Sequence, residues 1–96
     1  GVSVGVLDMY CVKPLDTATL STAAEMAKLI VTVEEHSPYG GLGSMVSQYA
    51  AAELPNRRVV NFALPDEPVV TGTPSEVFRH YGLDADGIRH RIKELI

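Results

Sequence analysis

The sequence predicts an α/β domain, a three-layer sandwich with a mostly parallel central sheet, and three observations predict it. Segments with the periodicity of strands alternate with segments with the periodicity of helices, an order that builds parallel strands joined by crossover helices. Helix-to-strand connections are short and strand-to-helix connections are long. The length of 96 residues, 46% of them hydrophobic, suffices for one core and not for two. We therefore expect residues 1–96 to form a single domain.

Three strands are expected. Valines that alternate with serine and glycine predict a first strand from Val2 to Met9. The β-branched run Leu29–Val33 predicts a second strand, buried on both faces. Arg58–Ala63 predicts a third, and Val69–Val70 is a further candidate for extended chain. We expect at least the first two strands to be parallel.

Four helices are expected, and three of them begin at a capping residue. Asp16 is the expected N-cap of a helix that extends to about Lys28, and Asp84 that of the last helix. Thr73 begins a capping box with proline next and glutamate at the third helical position. That helix is expected to end at Tyr81, with Gly82 in the left-handed conformation. The remaining helix is expected from Gly43 or Ser44 to Leu54.

Charge and composition exclude several functions. The net charge of −4, from 12 acidic and 8 basic side chains, argues against a nucleic acid as partner, because phosphate contacts need a clustered basic surface. No apolar run reaches the roughly 20 residues needed to cross a bilayer, and no leader is evident. The single Cys11 excludes a disulfide framework and a cysteine zinc site. We expect a cytoplasmic protein without a membrane partner.

The candidate functional surface is the loop from Glu34 to Gly43. In a parallel sheet every strand-to-helix loop leaves at the carboxyl edge, where ligands and partners bind. The loop is longer than its connection requires, and its glycines are followed by serine without the lysine of a phosphate loop. We interpret Gly41 and Gly43 as points of close backbone approach. The candidate interface residues are Glu34, Glu35, His36, Gly40, Gly41, Gly43 and Ser44.

Catalysis within this chain is not expected. Adjacent strand residues point to opposite faces, so Glu34 and Glu35 do not converge on one substrate, and contact with another chain is the favoured use of the loop. His80 and His90 are not at the spacing of metal ligands. We predict no catalytic, cofactor-binding or metal-binding residue here. An alternative is a freestanding interaction or anion-binding module that uses the helix start at Gly40–Ser44.

Several motifs in order carry a family resemblance. They are Lys13-Pro14-Leu15-Asp16, Val33-Glu34-Glu35-His36, Gly40-Gly41-Leu42-Gly43-Ser44, Leu64-Pro65-Asp66 and Tyr81-Gly82-Leu83-Asp84. Together they resemble the C-terminal domain of transketolase-like, thiamine-diphosphate-dependent enzymes over nearly the whole chain. The two last motifs equally resemble 1-deoxy-D-xylulose-5-phosphate synthase.

The resemblance implies a role without chemistry of its own. In the family, thiamine diphosphate and Mg²⁺ lie between two other domains, while the third supports dimerisation, so no cofactor is expected in this chain. The implied parent is a homodimeric transketolase that transfers a two-carbon ketol unit between sugar phosphates; the alternative is 1-deoxy-D-xylulose-5-phosphate synthase. Family domains usually begin with a further strand and helix. The chain is therefore expected to be a fragment or a subunit piece of a larger enzyme, and inactive when isolated.

Overall fold

The computed structural model describes residues 3–9, 11 and 13–96 and contains four helices and two strands in this range. The helices are α1 (Thr17–Ala24), α2 (Leu42–Glu53), α3 (Pro74–His80) and α4 (Ala85–Leu95). The strands are β1 (Leu29–Val33) and β2 (Arg58–Phe62). They pair in parallel, with Leu29 opposite Arg58 and Val33 opposite Phe62. The chain is thus an α/β domain with a parallel sheet, as the alternation of elements predicts.

Helices cover the two faces of this sheet. α2 packs against both strands, and its Ser47 hydroxyl accepts a hydrogen bond from Asn61 of β2 at 3.1 Å. Because successive side chains of a strand point to opposite faces, Phe62 lies on the other face. There the Arg91 guanidinium of α4 lies 3.8 Å from the centre of the Phe62 ring. Phe62 is only 1% exposed and is the largest fully buried side chain among the residues that the structure describes.

The predicted first strand is the main correction. Residues 3–9 are irregular, and Val4 and Val6 are 64% and 88% exposed; Val2 lies outside the described residues. A period-two pattern fits the faces of a strand but does not supply the neighbour that a strand must bind. The parallel pair therefore consists of the second and third predicted strands. Val69–Val70 forms no strand either.

β1 is less buried than predicted. Its first three residues are half-buried, and Val33 is 43% exposed. Within the described residues β1 is hydrogen-bonded to one neighbouring strand, so one edge of it lacks the cover that a central strand receives. Thr32, by contrast, is buried, and its hydroxyl donates to Asn61 Oδ1 at 2.7 Å.

The predicted helix caps are confirmed. The side chains of Asp16, Thr73 and Asp84 each accept a hydrogen bond from the backbone N–H three residues later. At Asp16 the Thr19 hydroxyl and the Thr19 backbone N–H both donate, which holds the pKa of the carboxyl below its usual value. α1 is nevertheless shorter than expected, because the chain turns at residues 25–26 and Met26 is 94% exposed.

Gly82 follows α3 with a φ of +70°, the left-handed conformation that its position predicts. The turn brings α4 close, since a Cβ at Gly87 would lie 2.7 Å from the backbone of Gly82. Leu83 is buried in the same turn. None of the helices in the described ranges is long and apolar enough to span a bilayer.

Candidate functional site

Glu34 turns inward at the end of β1 and caps α2. Its two carboxylate oxygens accept the backbone N–H groups of Leu42, at 2.9 Å, and Gly43, at 2.7 Å. The N-cap residue itself is Gly41, which has no side chain to satisfy these donors. The first N–H groups of a helix have no partner within the helix and attract negative charge. A carboxylate eight residues earlier in the chain thus occupies the N-terminus of α2.

Gly41 and Gly43 are required by this contact. A Cβ at Gly41 would collide with Glu34 Oε1, although its φ of −102° is ordinary. A Cβ at Gly43 would lie 2.8 Å from Glu34 Oε2 and 2.7 Å from Asn61 Cγ. Both glycines therefore leave room for two side chains of the same chain. The interpretation of them as points of close backbone approach stays a prediction.

Ser44 and Gly40 close the loop from inside. The Ser44 hydroxyl accepts the Gly40 N–H at 3.0 Å and donates to the Pro38 carbonyl at 2.9 Å. Gly40 has a φ of +76°, and here the left-handed backbone itself favours glycine. The loop of residues 35–41 is consequently fixed at both ends: Ser44 is hydrogen-bonded to Gly40 and Pro38, and Glu34, which precedes the loop, is hydrogen-bonded to the start of α2.

The outer surface of the loop is exposed. Glu35 and His36 are exposed at its base, and Tyr39 further along the loop is 68% exposed. The His36 ring is bonded through Nδ1 to the Ser37 carbonyl at 2.8 Å. Glu34 contacts the start of α2, and the divergence of Glu34 and Glu35 stays a prediction. The structure thus separates the seven candidate residues into an internal set and an outward pair, Glu35 and His36.

A buried polar network under the loop was not anticipated. Thr32 donates to Asn61, and Asn61 donates to Ser47, so that β1, β2 and α2 are joined through one amide. Every buried side-chain polar atom among the described residues has a partner. The signal for this network was available, because Thr32 and Asn61 are polar residues at paired positions of the two strands, each flanked by apolar residues.

The side chains at the start of α2 make structural contacts within the chain, and the outer side of the loop remains exposed. Both oxygens of Glu34 are engaged with the helix, and His36 is bonded to its own loop. Within residues 3–9, 11 and 13–96, no three acidic, histidine or cysteine side chains form a group that fits a metal ion. The anion-binding alternative also loses its donors, because Glu34 already accepts the N–H groups of Leu42 and Gly43.

Residues 1–88 match the family model of the transketolase C-terminal domain. An apulose-4-phosphate transketolase subunit of Phocaeicola vulgatus is 44% identical over 88 residues, which are 92% of this chain and 28% of the relative. The 1-deoxy-D-xylulose-5-phosphate synthases of Chlorobium luteolum and Stutzerimonas stutzeri are 40% and 45% identical, over 98% and 93% of this chain. The chain spans 15% and 14% of the length of these two synthases.

Proposed function

Because this chain belongs to the transketolase C-terminal domain family, we propose that it is the C-terminal structural domain of a transketolase-type enzyme. The parent transfers a two-carbon ketol unit between sugar phosphates. Thiamine diphosphate with Mg²⁺ supplies the bond chemistry and is held by other domains. The observation that carries the proposal is the match itself, which covers 92% of this chain but 28% of the transketolase relative.

The runner-up is 1-deoxy-D-xylulose-5-phosphate synthase, and the two synthases at 40% and 45% identity favour it. The two activities use different donors. A synthase decarboxylates pyruvate and joins the fragment to glyceraldehyde 3-phosphate, whereas a transketolase takes the fragment from a ketose phosphate. The full-length protein assayed with each donor separates them. Turnover with a ketose phosphate and none with pyruvate supports the first proposal; the reverse result supports the synthase, and turnover with neither contradicts both.

The chain itself contributes no cofactor site in this proposal. Calorimetric titration of the 96-residue chain with thiamine diphosphate and Mg²⁺ is expected to show no saturable heat. A micromolar site in that titration would contradict the structural role.

We further propose that the loop of residues 35–41 docks onto another part of the assembled enzyme. Its support is a shape fixed from inside, by Glu34 and Ser44, together with an outer surface that leaves Tyr39 68% exposed. Preorganisation lowers the entropic cost of binding. Tyr39→Ala removes an exposed side chain, and His36→Ala removes an exposed ring whose hydrogen bond is to the Ser37 carbonyl of the same loop. Both substitutions should weaken assembly more than they lower the melting temperature of the chain.

Gly41→Val is unsuitable for that test. A valine there would displace Glu34 from α2, so it would disturb folding and docking together. Sedimentation velocity of the full-length variants, with thermal melts of the 96-residue chain, gives the two readouts. Normal assembly in both His36→Ala and Tyr39→Ala would contradict docking through this loop.

A further inference from the structure

The first turn of α4 contains a chemically reactive dipeptide. Asp86 is followed by Gly87, and no other aspartate or asparagine of the chain precedes a glycine. In such a pair the main-chain nitrogen of the glycine can attack the side-chain carboxyl carbon of the aspartate and close a succinimide ring. Glycine favours this attack because it has no Cβ to obstruct the approach and its backbone rotates freely. Asp86-Gly87 is therefore the pair in this chain with the least steric obstruction to ring closure.

Packing fixes the glycine of this pair. A Cβ at Gly87 would lie 2.7 Å from backbone atoms of Gly82, where α4 passes the turn that follows α3. The obstruction is main chain, so no side-chain rotation relieves it. Gly82 has a φ of +70°, a backbone conformation that favours glycine at this position too. The fold therefore retains the residue that makes the pair reactive.

The carboxyl group of the pair is open to solvent. The side chain of Asp86 is 93% exposed, and its ion-pair partner, Arg89 Nη2, is 4.0 Å away. An exposed ion pair of this kind contributes little and holds a side chain weakly. Asp86 can therefore rotate toward its own main chain without the loss of a strong contact.

The main-chain nitrogen of the pair is protected while the helix is intact. Gly87 N–H donates to Asp84 Oδ1 at 2.8 Å, and Ile88 N–H donates to the Asp84 carbonyl at 2.9 Å. Ring closure also requires a ψ at the aspartate far from the helical value of about −42°. Local opening of the first turn removes both restraints. The cap at Asp84 thus controls access to a reactive pair that packing preserves.

We propose that Asp86-Gly87 is a site of isoaspartate formation whose rate is set by opening of the first turn of α4. The Gly87 nitrogen bonds to Asp86 Cγ, and its hydrogen leaves with the hydroxyl of the protonated carboxyl group as water. A second water then opens the ring. Cleavage between Cγ and nitrogen restores aspartate, whereas cleavage between the main-chain carbonyl carbon and nitrogen gives isoaspartate. Mass and oxidation state are unchanged, and the inference is independent of the proposed function.

The product lengthens the main chain of α4 by one methylene group. The spacing that places Gly87 N–H on Asp84 is then lost, so the modified helix lacks its cap. The same helix carries Arg91, whose guanidinium lies 3.8 Å from the centre of the Phe62 ring. Isoaspartate at residue 86 is therefore expected to loosen the contact of α4 with the sheet.

The test is prolonged incubation of the full-length protein near neutral pH, followed by peptide mapping. Mass spectrometry with electron-transfer fragmentation distinguishes isoaspartate from aspartate at residue 86. Asp84→Ala removes the cap and should accelerate isoaspartate formation about fivefold, because loss of a capping side chain raises opening of the turn by about this factor. Asp84→Ser is the matched control, since serine caps a helix as well as aspartate does, and it should react within about twofold of the unsubstituted protein.

A comparison of native and denatured protein decides the question if Asp84→Ala fails to fold. In denaturing guanidinium chloride the unsubstituted protein should form isoaspartate at residue 86 at least about tenfold faster than in the native state, because the turn is then always open. Equal rates in the two states, or in Asp84→Ala and Asp84→Ser, would overturn the control by the cap. Absence of isoaspartate at residue 86 from the incubated native protein would overturn the site.

Discussion

Removal of the Glu34 carboxylate is the perturbation with the most defined local effect. Glu34→Ala leaves the N–H groups of Leu42 and Gly43 without their acceptors at 2.9 and 2.7 Å. A hydrogen bond to a charged group contributes about 1.5–3 kcal/mol. Water replaces part of the loss at this partly buried contact, so we take about 2 kcal/mol for the pair. That figure corresponds to roughly a 30-fold increase in local opening of the first turn of α2.

Amide hydrogen exchange followed by NMR measures this opening directly. Exchange of the Leu42 and Gly43 amides should accelerate roughly 30-fold in Glu34→Ala, and about fivefold in Glu34→Gln, which retains one oxygen and loses the charge. Amides in the middle of α2, such as that of Ala50, should be much less affected.

The adjacent residue provides the control. Glu35→Ala removes the same functional group one position later, where it makes no contact with the start of α2, and should leave both amides unchanged. Unchanged exchange of Leu42 and Gly43 in Glu34→Ala would refute the assignment of Glu34 as the cap of α2. It would also remove the explanation for the two glycines.

Three further outcomes are expected of the 96-residue chain. Gly87→Ala should lower the free energy of unfolding by about 1–3 kcal/mol in a urea titration, because the new Cβ meets the Gly82 backbone at 2.7 Å; Gly5→Ala, with no heavy atom within 4 Å of its Cβ, should have little effect. Phe62→Ala should cost about 3–5 kcal/mol in the same titration, since its ring is 1% exposed. Because the pKa of Asp16 is lowered in the folded chain, its carboxylate stabilises α1 at pH values above the ordinary aspartate pKa of about 3.9. This stability should be lost as the pH falls through the lowered pKa. NMR titration of the α1 amides checks this, and Asp16→Asn should abolish the transition.

The features that were predicted correctly are determined by residues close to each other in the sequence. Asp16, Thr73 and Asp84 each cap a helix through a bond to the third residue onward, so the pattern contains both partners. Gly82 likewise follows from its position after α3. The alternation of strand and helix segments predicted a parallel sheet. The parallel expectation was made for the first two predicted strands, whereas the observed pair joins the second, Leu29–Val33, and the third, Arg58–Phe62.

The predictions that were wrong concern a strand and a helix end that depend on residues distant in the sequence. The alternation at residues 3–9 suits a strand, but no strand in the described residues pairs with it. α1 ends at Ala24 although alanine favours helix, because the chain must turn there to reach β1. Local propensity is overridden where tertiary geometry sets the boundary.

The candidate site divides in the same way. Sequence order placed Glu34 to Ser44 at the carboxyl edge of the parallel sheet. The role of Glu34 did not follow, because its oxygens serve a helix that begins eight residues later. The contact of both glycines with an internal carboxylate was consequently not anticipated. Asn61 was missed because its partners lie on two other elements.

The most direct test of the account compares amide exchange in the assembled full-length enzyme with exchange in the 96-residue chain. The docking proposal predicts that residues 35–41 exchange more slowly in the assembled enzyme, because another part of the enzyme covers this loop. Residues 25–28 and 54–57, at the opposite edge of the sheet, should exchange at similar rates in both. Equal exchange of residues 35–41 in the two samples would contradict the claim that this domain docks through this loop.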